Sequence, residues 1–262
     1  MDFNLYNLNS LKNFVSLKNH CRKFIRAPRA RFKPSAQKAL NWLIPRICIS
    51  CQQQQAQVDH PCCLECYASL PFQSHCCEQC GQSYSAGADY CGRCITQRPP
   101  FDACFCAFKY ESPIDQQIKA LKYQARPELA KSLAELLYVE IQANGLELPD
   151  VLVPVPMHTS KLRQRGYNQS LLLSKQLSKL TKIPYDRQLL RKHKATPAQA
   201  ELSLKQRQTN LTGCFEFIGK APIHAAIVDD VYTTGATAAE IAKVLKRNGV
   251  DYIQFWGIAH TI

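Results

Sequence analysis

Four closely spaced cysteine pairs constrain the fold of this chain more than any other feature of its sequence. They form two sets, Cys48-x2-Cys51 with Cys63-x2-Cys66, and Cys77-x2-Cys80 with Cys91-x2-Cys94. A C-x-x-C pair directs two thiolates at one ion, and two pairs complete the tetrahedral shell that structural zinc prefers. The segment 48–94 has few large apolar side chains and needs such a staple to fold. The sequence therefore predicts one or two structural Zn²⁺ ions.

The choice of zinc ligands stays open at two positions, because Cys62 adjoins Cys63 and Cys76 adjoins Cys77. Further candidate ligands are His60 and His75. A disulfide framework is the less favoured interpretation. The N-terminus has no continuous apolar segment typical of a secretory signal, and C-x-x-C pairs in a reducing cell indicate metal binding. No apolar run approaches the ~18 residues of a membrane span. We therefore expect a cytoplasmic protein without a membrane span.

The positive charge is concentrated near the N-terminus. Residues 1–46 hold ten Lys and Arg against one acid, so they carry +9 of the formal net charge of +13. Aromatic residues are interleaved with these cations, as in many proteins that bind single-stranded nucleic acid; they are Phe14, Phe24, Phe32 and Trp42. A solvated tail is the alternative interpretation. We predict a basic arm over residues 1–42, a double zinc ribbon over 43–100 and a third domain over 101–262.

Strand and helix patterns alternate along this third domain. The predicted strands are Ala103–Tyr110, Val151–Val155, Ala225–Val228 and Tyr252–Ile258, and the predicted helices are Pro127–Ala143, Asn168–Leu180 and Thr237–Asn248. Such alternation is typical of an α/β layer fold with a mainly parallel sheet. Candidate core positions of the second helix are Leu171, Leu172, Leu177 and Leu180.

The segment that follows the third predicted strand indicates a phosphate site. Two acids, Asp229 and Asp230, are followed by a loop of small residues and then by a helix. The backbone N–H groups of such a loop and the positive end of the helix converge on one point, which suits an anion. The predicted phosphate-binding residues are Thr233, Thr234, Gly235, Ala236 and Thr237. Carboxylates before the loop suit the hydroxyls of a ribose. The absence of G-K-[ST] excludes a Walker A loop.

The run apolar-apolar-Asp-Asp-x-x-Thr-Thr-Gly-x-Thr resembles the signature of type I phosphoribosyltransferases. Other segments resemble the ComF family of competence and DNA-utilisation proteins, namely Lys119–Tyr123, Val153–His158, Arg165–Gln169 and Gln206–Leu211. The resemblance covers about residues 43–262. It implies a type I phosphoribosyltransferase-like parallel sheet flanked by helices, preceded by a small zinc-ribbon module with four-cysteine sites. It also implies binding of 5-phosphoribosyl-1-pyrophosphate (PRPP) with Mg²⁺.

The resemblance implies a role for each part of the site. Asp229 and Asp230 hold the ribose, and the loop 233–237 holds the 5′-phosphate. The candidates for pyrophosphate binding are Val155, Pro156, Lys161, Arg163, Arg165, Lys119 and Lys122, with the two last placed on a neighbouring loop. A solvated basic face is the alternative for any one of these cations. Asn168 and Gln169 brace the loop or cap the helix that begins there.

One departure from related sequences bears on the chemistry. Oxopurine-salvage relatives carry an Asp three residues after the acid pair, where this chain has Thr233. Salvage of hypoxanthine or guanine is therefore disfavoured. The open hypotheses are a PRPP-dependent transferase with an unidentified acceptor, a catalytically silent module that binds single-stranded DNA or a DNA-processing protein, and a PRPP sensor. Each ties the chain to competence and DNA uptake.

Overall fold

The secondary structure follows the alternating pattern expected of the third domain. The computed structural model describes residues 47–54, 60–84, 89–194 and 212–261. The predicted basic arm and the segment Gln206–Leu211 lie outside these ranges. The helices are α1 Leu64–Ala68, α2 Gly92–Thr96, α3 Ile114–Tyr123, α4 Leu129–Ala143, α5 Thr159–Arg165, α6 Gln169–Thr181 and α7 Ala236–Arg247. The strands are β1 Ala103–Lys109, β2 Val151–Pro154, β3 Leu190–Lys192, β4 Phe215–Phe217, β5 His224–Tyr232 and β6 Tyr252–His260.

Four of these strands form a parallel sheet in the order β1-β6-β5-β2. This confirms the predicted parallel sheet with flanking helices. Strands β3 and β4 form a separate antiparallel pair that the sequence patterns did not predict. Strand β5 is longer than predicted, because its pairing with β6 continues through Asp229 opposite Gly257 to Tyr232 opposite His260. Both acids of the phosphate motif therefore belong to the end of a strand rather than to a loop.

Strand β5 is covered on both faces. Ala226 and Val228 pack into one apolar cluster with residues of α4 and α6. Ala225 and Ile227 pack into a second cluster with residues of α7. A strand buried on both faces needs a continuous apolar run instead of an alternating one, and this is the pattern that the sequence has.

Two features of the helices differ from the sequence-based expectation. Helix α3 was not predicted, and the assignment of Lys119 and Lys122 to a loop is wrong, since both lie on α3. Its apolar residues Ile114, Ile118 and Leu121 have helical spacing and are fully buried. Helix α6 buries Leu177 as predicted, but it also buries Leu173, which was not predicted, and the predicted core positions Leu171, Leu172 and Leu180 are only half-buried.

The cysteine-rich segment covers the free edge of β1. Backbone N–H groups of Lys109 and Gln73 donate to the carbonyl oxygens of Pro71 (2.7 Å) and Ala107 (3.2 Å). Phe72 forms an antiparallel bridge with Phe108, and their ring centroids are 5.4 Å apart. An uncovered edge strand presents unpaired backbone groups to other chains. The ribbon therefore protects this edge of the sheet.

The first cysteine set also contacts the helices. The Gln117 side chain on α3 donates to the Ile49 carbonyl at 2.7 Å. The Tyr67 hydroxyl donates to the Glu140 carboxylate on α4 at 2.6 Å. The ribbon and the sheet thus share one packed core. Across the described ranges, no helix is both long and apolar enough to cross a membrane.

We expect the substitution Phe108→Ala to destabilise the protein strongly, because this ring is fully buried between the sheet and the ribbon. Truncation of a buried Phe typically lowers the free energy of unfolding by about 3–5 kcal/mol. Ile223→Ala is the matched control, since Ile223 is 70% exposed. Chemical denaturation of the zinc-loaded protein measures both changes. Equal stability of the two variants would contradict the described docking of the ribbon.

Candidate functional site

A cleft of about 830 Å³ opens at the carboxyl end of the parallel sheet. Each of the four strands is followed directly by a residue that lines it, namely Tyr110 after β1, Val155 after β2, Thr233 after β5 and Thr261 after β6. Ligands of open α/β sheets bind outside the carboxyl ends of the strands. The topology therefore places the predicted site where such folds hold their ligands.

The predicted phosphate loop lies between β5 and α7 and lines this cleft. Gly235 is the N-cap of α7 and has φ 74°, a left-handed conformation that residues other than glycine rarely adopt. A Cβ at this position would overlap the hydroxyl of Tyr232. Tyr232 is 3% exposed and stacks on His260, with ring centroids 4.9 Å apart. Gly235 is thus required both by the turn and by the packed tyrosine beneath it.

The first acid of the motif is held by two donors. The Asp229 Oδ1 atom accepts from the Ser170 hydroxyl at 2.6 Å and from the Asp230 backbone N–H at 3.0 Å. Burial and, next, the charge of Asp230 raise the pKa of Asp229 to about 7, although the hydrogen bond from Ser170 lowers it. The carboxyl group of Asp229 therefore titrates near neutral pH. Ser170 was not among the residues predicted from sequence.

The second acid forms a buried ion pair. Asp230 is 2% exposed, and its Oδ1 atom lies 2.9 Å from the Lys122 ammonium. Burial lowers the pKa of Lys122, but the charges of Asp230 and Asp229 outweigh this effect and raise it. The Asp230 Oδ2 atom is buried and has no hydrogen-bond partner among the described residues. Lys122 thus contacts the candidate ribose site, although it was predicted to bind pyrophosphate.

Three further cations contribute to the lining of the cleft. Lys161, Arg165 and Lys192 line it. Burial, and then the charge of Arg165, lower the pKa of Lys161. Burial, and then the charge of Lys161, lower the pKa of Lys192. Mutual repulsion among these groups favours an anionic ligand between them. The prediction from sequence omitted Lys192, although the basic run 191–194 signals it.

The remaining predicted residues divide into two groups. Val155, Pro156, Ala236 and Thr237 line the cleft. Lys119, Arg163 and Thr234 are not among the described residues that line it. Lys119 instead pairs with Asp115 on its own helix at 2.7 Å. Asn168 caps α6 by accepting from the Ser170 N–H at 3.0 Å, and its side chain donates to the Val155 carbonyl at 3.0 Å. Asn168 therefore both caps helix α6 and braces the loop that follows β2.

The eight cysteines of the predicted sets form two clusters of four sulfur atoms. The sulfurs of each cluster lie within 4.8 Å of one another. Cys51 and Cys63 have a sulfur–sulfur distance of 3.9 Å, and Cys80 and Cys91 one of 3.7 Å. Four thiolates at about 2.3 Å from one zinc ion are about 3.8 Å apart. Both clusters therefore fit structural zinc.

The clusters also distinguish the adjacent cysteines. Cys63 and Cys77 belong to them, whereas Cys62, Cys76 and the two candidate histidines lie outside the clusters of the described ranges. The Cys76 thiol instead contacts Gln73 Oε1 at 3.3 Å. Burial raises the pKa of the Cys48 thiol, but backbone N–H groups of neighbouring residues outweigh it and lower that pKa to about 6. Such donors favour the thiolate, which is the form that binds a metal.

Comparison with known proteins agrees with the description of the cysteine clusters and identifies the family. The double zinc ribbon domain family matches residues 39–95. The chain is 34% identical to the DNA utilization protein YhgH of Salmonella typhimurium over 224 residues, which cover 84% of this chain and 99% of that protein. It is also 34% identical to competence protein F of Haemophilus influenzae over 223 residues, 81% of this chain and 96% of that protein.

The chain belongs to the ComF family. The resemblance that the sequence motifs indicated is therefore confirmed, and so is a zinc-ribbon module ahead of the sheet. A solved structure similar to this ComF-family chain is a purine phosphoribosyltransferase from Pyrococcus horikoshii Ot3. It has 17% sequence identity and a TM-score of 0.29, and the match covers 47% of this chain and 67% of that one. At that TM-score the likeness adds no argument to the geometry of the cleft.

We expect the purified ComF-family chain to contain two zinc ions, because two complete clusters are present. The substitution Cys63→Ser should remove one ion by taking one thiolate from the first cluster. Cys62→Ser, at the neighbouring position outside the cluster, should retain both ions. Elemental analysis of the protein in metal-free buffer measures the ratio. Loss of zinc from Cys62→Ser, with retention by Cys63→Ser, would reverse the assignment.

Proposed function

We propose that this ComF-family chain binds PRPP, together with Mg²⁺, in the cleft at the carboxyl end of the sheet, and that it does so in the cytoplasm as part of competence and DNA utilisation. The names of its relatives support the biological setting. The chemistry of the cleft supports the ligand, because the cleft joins a phosphate-type loop, a pair of acids and a group of cations. PRPP has a phosphate, a ribose and a diphosphate to match these three parts.

The observation that carries the proposal is the unsatisfied oxygen of Asp230. A buried carboxylate oxygen without a hydrogen-bond donor costs free energy, and a ligand that supplies the donor removes this cost. Asp230 lines the cleft three residues before the phosphate loop, and its Oδ2 atom has no donor among the described residues. A ribose hydroxyl or a hydrated Mg²⁺ ion provides the missing partner.

Different residues around the acid pair would bind different parts of PRPP. The loop that contains Gly235 would hold the 5′-phosphate through backbone N–H groups and the N-terminus of α7. Lys161, Arg165 and Lys192 would hold the diphosphate through charge. Mg²⁺, when bound, neutralises part of the charge of the diphosphate. Lys122 would stay paired with Asp230 while ligand is absent.

Phosphoribosyl transfer to an acceptor is one use of this site, and binding without chemistry is the other. Transfer requires departure of the diphosphate, which the three cations would stabilise by charge and positioning. Thr233 cannot act as the proton-transfer group that an acid at this position supplies. Release of pyrophosphate in the presence of an acceptor panel separates a transferase from a PRPP sensor or a silent binding module.

We also propose that the chain handles single-stranded DNA. The basic arm predicted over residues 1–42 and the cations of the cleft would contact phosphates, and a DNA-processing protein is the partner that the relatives' names suggest. Binding through phosphate contacts weakens steeply with salt. A measured affinity that does not respond to salt would contradict this part of the proposal.

PRPP with Mg²⁺ should raise the melting temperature of the zinc-loaded chain. A ligand at 100 times its Kd stabilises the folded state by about 2.7 kcal/mol, which corresponds to several degrees for a chain of this size. Asp230→Asn should abolish most of the shift, because it removes the buried charge and weakens the pair with Lys122. Differential scanning fluorimetry measures the shift.

The matched control is Asp251→Asn, which changes an exposed acid just before β6, at the opposite end of the sheet. This variant should keep the full shift. Absence of any shift in well-folded wild-type protein would remove PRPP as the ligand. A shift that persists in Asp230→Asn would remove this acid from the site.

The shift that PRPP causes should grow as the pH rises through about 7, because ionised Asp229 accepts from the ribose and its pKa is raised to about 7. In the free protein the same raised pKa contributes stability below pH ~4, and this contribution is lost as the pH rises through about 7. Ser170→Ala removes a hydrogen bond that lowers this pKa. The midpoint of the pH dependence should therefore move to higher pH in that variant.

Wild type and Ser170→Ala are compared with the same ligand, so titration of the phosphates of PRPP affects both curves equally. Melting shifts recorded between about pH 5.5 and about pH 9, a range that brackets the raised pKa of this acid, give the two midpoints. Identical midpoints would mean that a group other than Asp229 controls the pH dependence.

A further inference from the structure

Tyr123, the last residue of α3, stands at the mouth of the cleft with 74% of its surface exposed. This is the largest exposed fraction among the large apolar and aromatic side chains of the described ranges. The preceding residue, Lys122, is half-buried and contacts Asp230. The phenol ring therefore lies one residue from the ion pair of the candidate ribose site.

The backbone that carries this ring is fixed. The Tyr167 hydroxyl donates to the Leu121 carbonyl at 2.5 Å. The Gln124 backbone N–H donates to the Ala120 carbonyl at 3.0 Å and closes the last turn of the helix. Because Lys122 is also held in its ion pair, the backbone at Tyr123 cannot shift without breaking these contacts. An exposed ring on a fixed backbone loses little conformational entropy when it binds.

A guanidinium group lies against the ring. The Arg165 Cζ atom is 5.3 Å from the centroid of the Tyr123 ring, within cation–π range. Arg165 is itself held by a hydrogen bond of 2.7 Å from its Nη1 atom to Gln169 Oε1. The mouth of the cleft therefore presents two flat groups, one aromatic and one cationic, whose positions are set by α3, α5 and α6.

We propose that Tyr123 and Arg165 form a stacking platform for a nucleobase at the mouth of the cleft. The inference rests on the proposed function, because it assigns the second ligand of the same site. Aromatic rings and guanidinium planes stack on nucleobases, and stacking tolerates any base because every base has a π-face. Thr233 supplies no carboxylate to read the edge of a base. The platform thus favours bases without selecting one, as single-stranded DNA requires.

The base can belong to a strand or to a free nucleoside, and the chemistry of stacking is the same in both. The test uses the full zinc-loaded chain and fluorescence anisotropy of a labelled oligo(dT) of roughly 12 nucleotides. Adenosine serves as the free competitor. An oligomer of equal length with abasic deoxyribose phosphates supplies the charge without the bases.

Tyr123→Ala should weaken oligo(dT) binding by about 10- to 100-fold, the loss typical of one stacked base. Tyr123→Phe should retain binding, because it keeps the ring. The slope of log K against log salt should stay unchanged in Tyr123→Ala, since stacking releases no counterions. The abasic oligomer should bind wild type and Tyr123→Ala equally. The matched control, Tyr252→Ala, removes a 37% exposed ring at the opposite end of the sheet and should bind oligo(dT) like wild type.

Oligo(dT) affinity that is equal in wild type and Tyr123→Ala overturns the proposal, and so does a wild type that does not bind oligo(dT). Competition by adenosine that requires Tyr123 assigns the platform to free nucleosides as well as strands, and a lack of such competition assigns it to strands alone. The melting shift with PRPP is recorded on the same variants. Its absence in wild type counts against the proposed PRPP function, whereas the dependence of oligo(dT) binding on Tyr123 tests the platform separately.

Discussion

Burial of strand β5 on both faces is the constraint on which the rest of this structure depends. Its apolar run contributes to two separate clusters, one beneath α4 and α6 and one beneath α7. Because β2 and β6 run parallel to β5 on either side, the carboxyl ends of the three strands lie at the same end of the sheet. The acid pair lies at that end of β5, and the predicted phosphate loop follows it. The position of the cleft therefore follows from the packing of one strand.

The zinc ribbon supports this arrangement from the side. It pairs with the free edge of β1, and the turn at Gly81, directly after Cys80, packs beside the carboxyl end of β6. A Cβ at Gly81 would lie 3.6 Å from the ring of His260. His260 stacks on Tyr232, which in turn fills the space beneath Gly235. The second cysteine cluster thus lies next to the side chains that support the phosphate loop, so the module is part of the framework of the cleft.

Some charged groups in the cleft lie beside a group of opposite charge, and others lie beside a group of the same charge. Lys122 pairs with Asp230, while burial and, next, the charge of Asp230 raise the pKa of Asp229 to about 7. The half-buried Lys161 and Lys192, which also line the cleft, have pKa values lowered by burial and, next, by the charge of a neighbouring cation. These acids and cations therefore favour the binding of an anion that carries hydroxyl groups. Such perturbed groups typically mark functional sites.

Sequence alone was enough to predict the parallel sheet, the two four-cysteine sets and the loop around Gly235, because each depends on local spacing or on the run of one strand. Tertiary structure decided the rest. The choice of Cys63 over Cys62, the burial of Leu173, and the partners Ser170 and Lys122 of the two acids all depend on which distant segments pack together. Such contacts join residues that are far apart along the chain, and no local period encodes them. For the same reason, the place of Tyr123 at the mouth of the cleft became visible only in the folded chain.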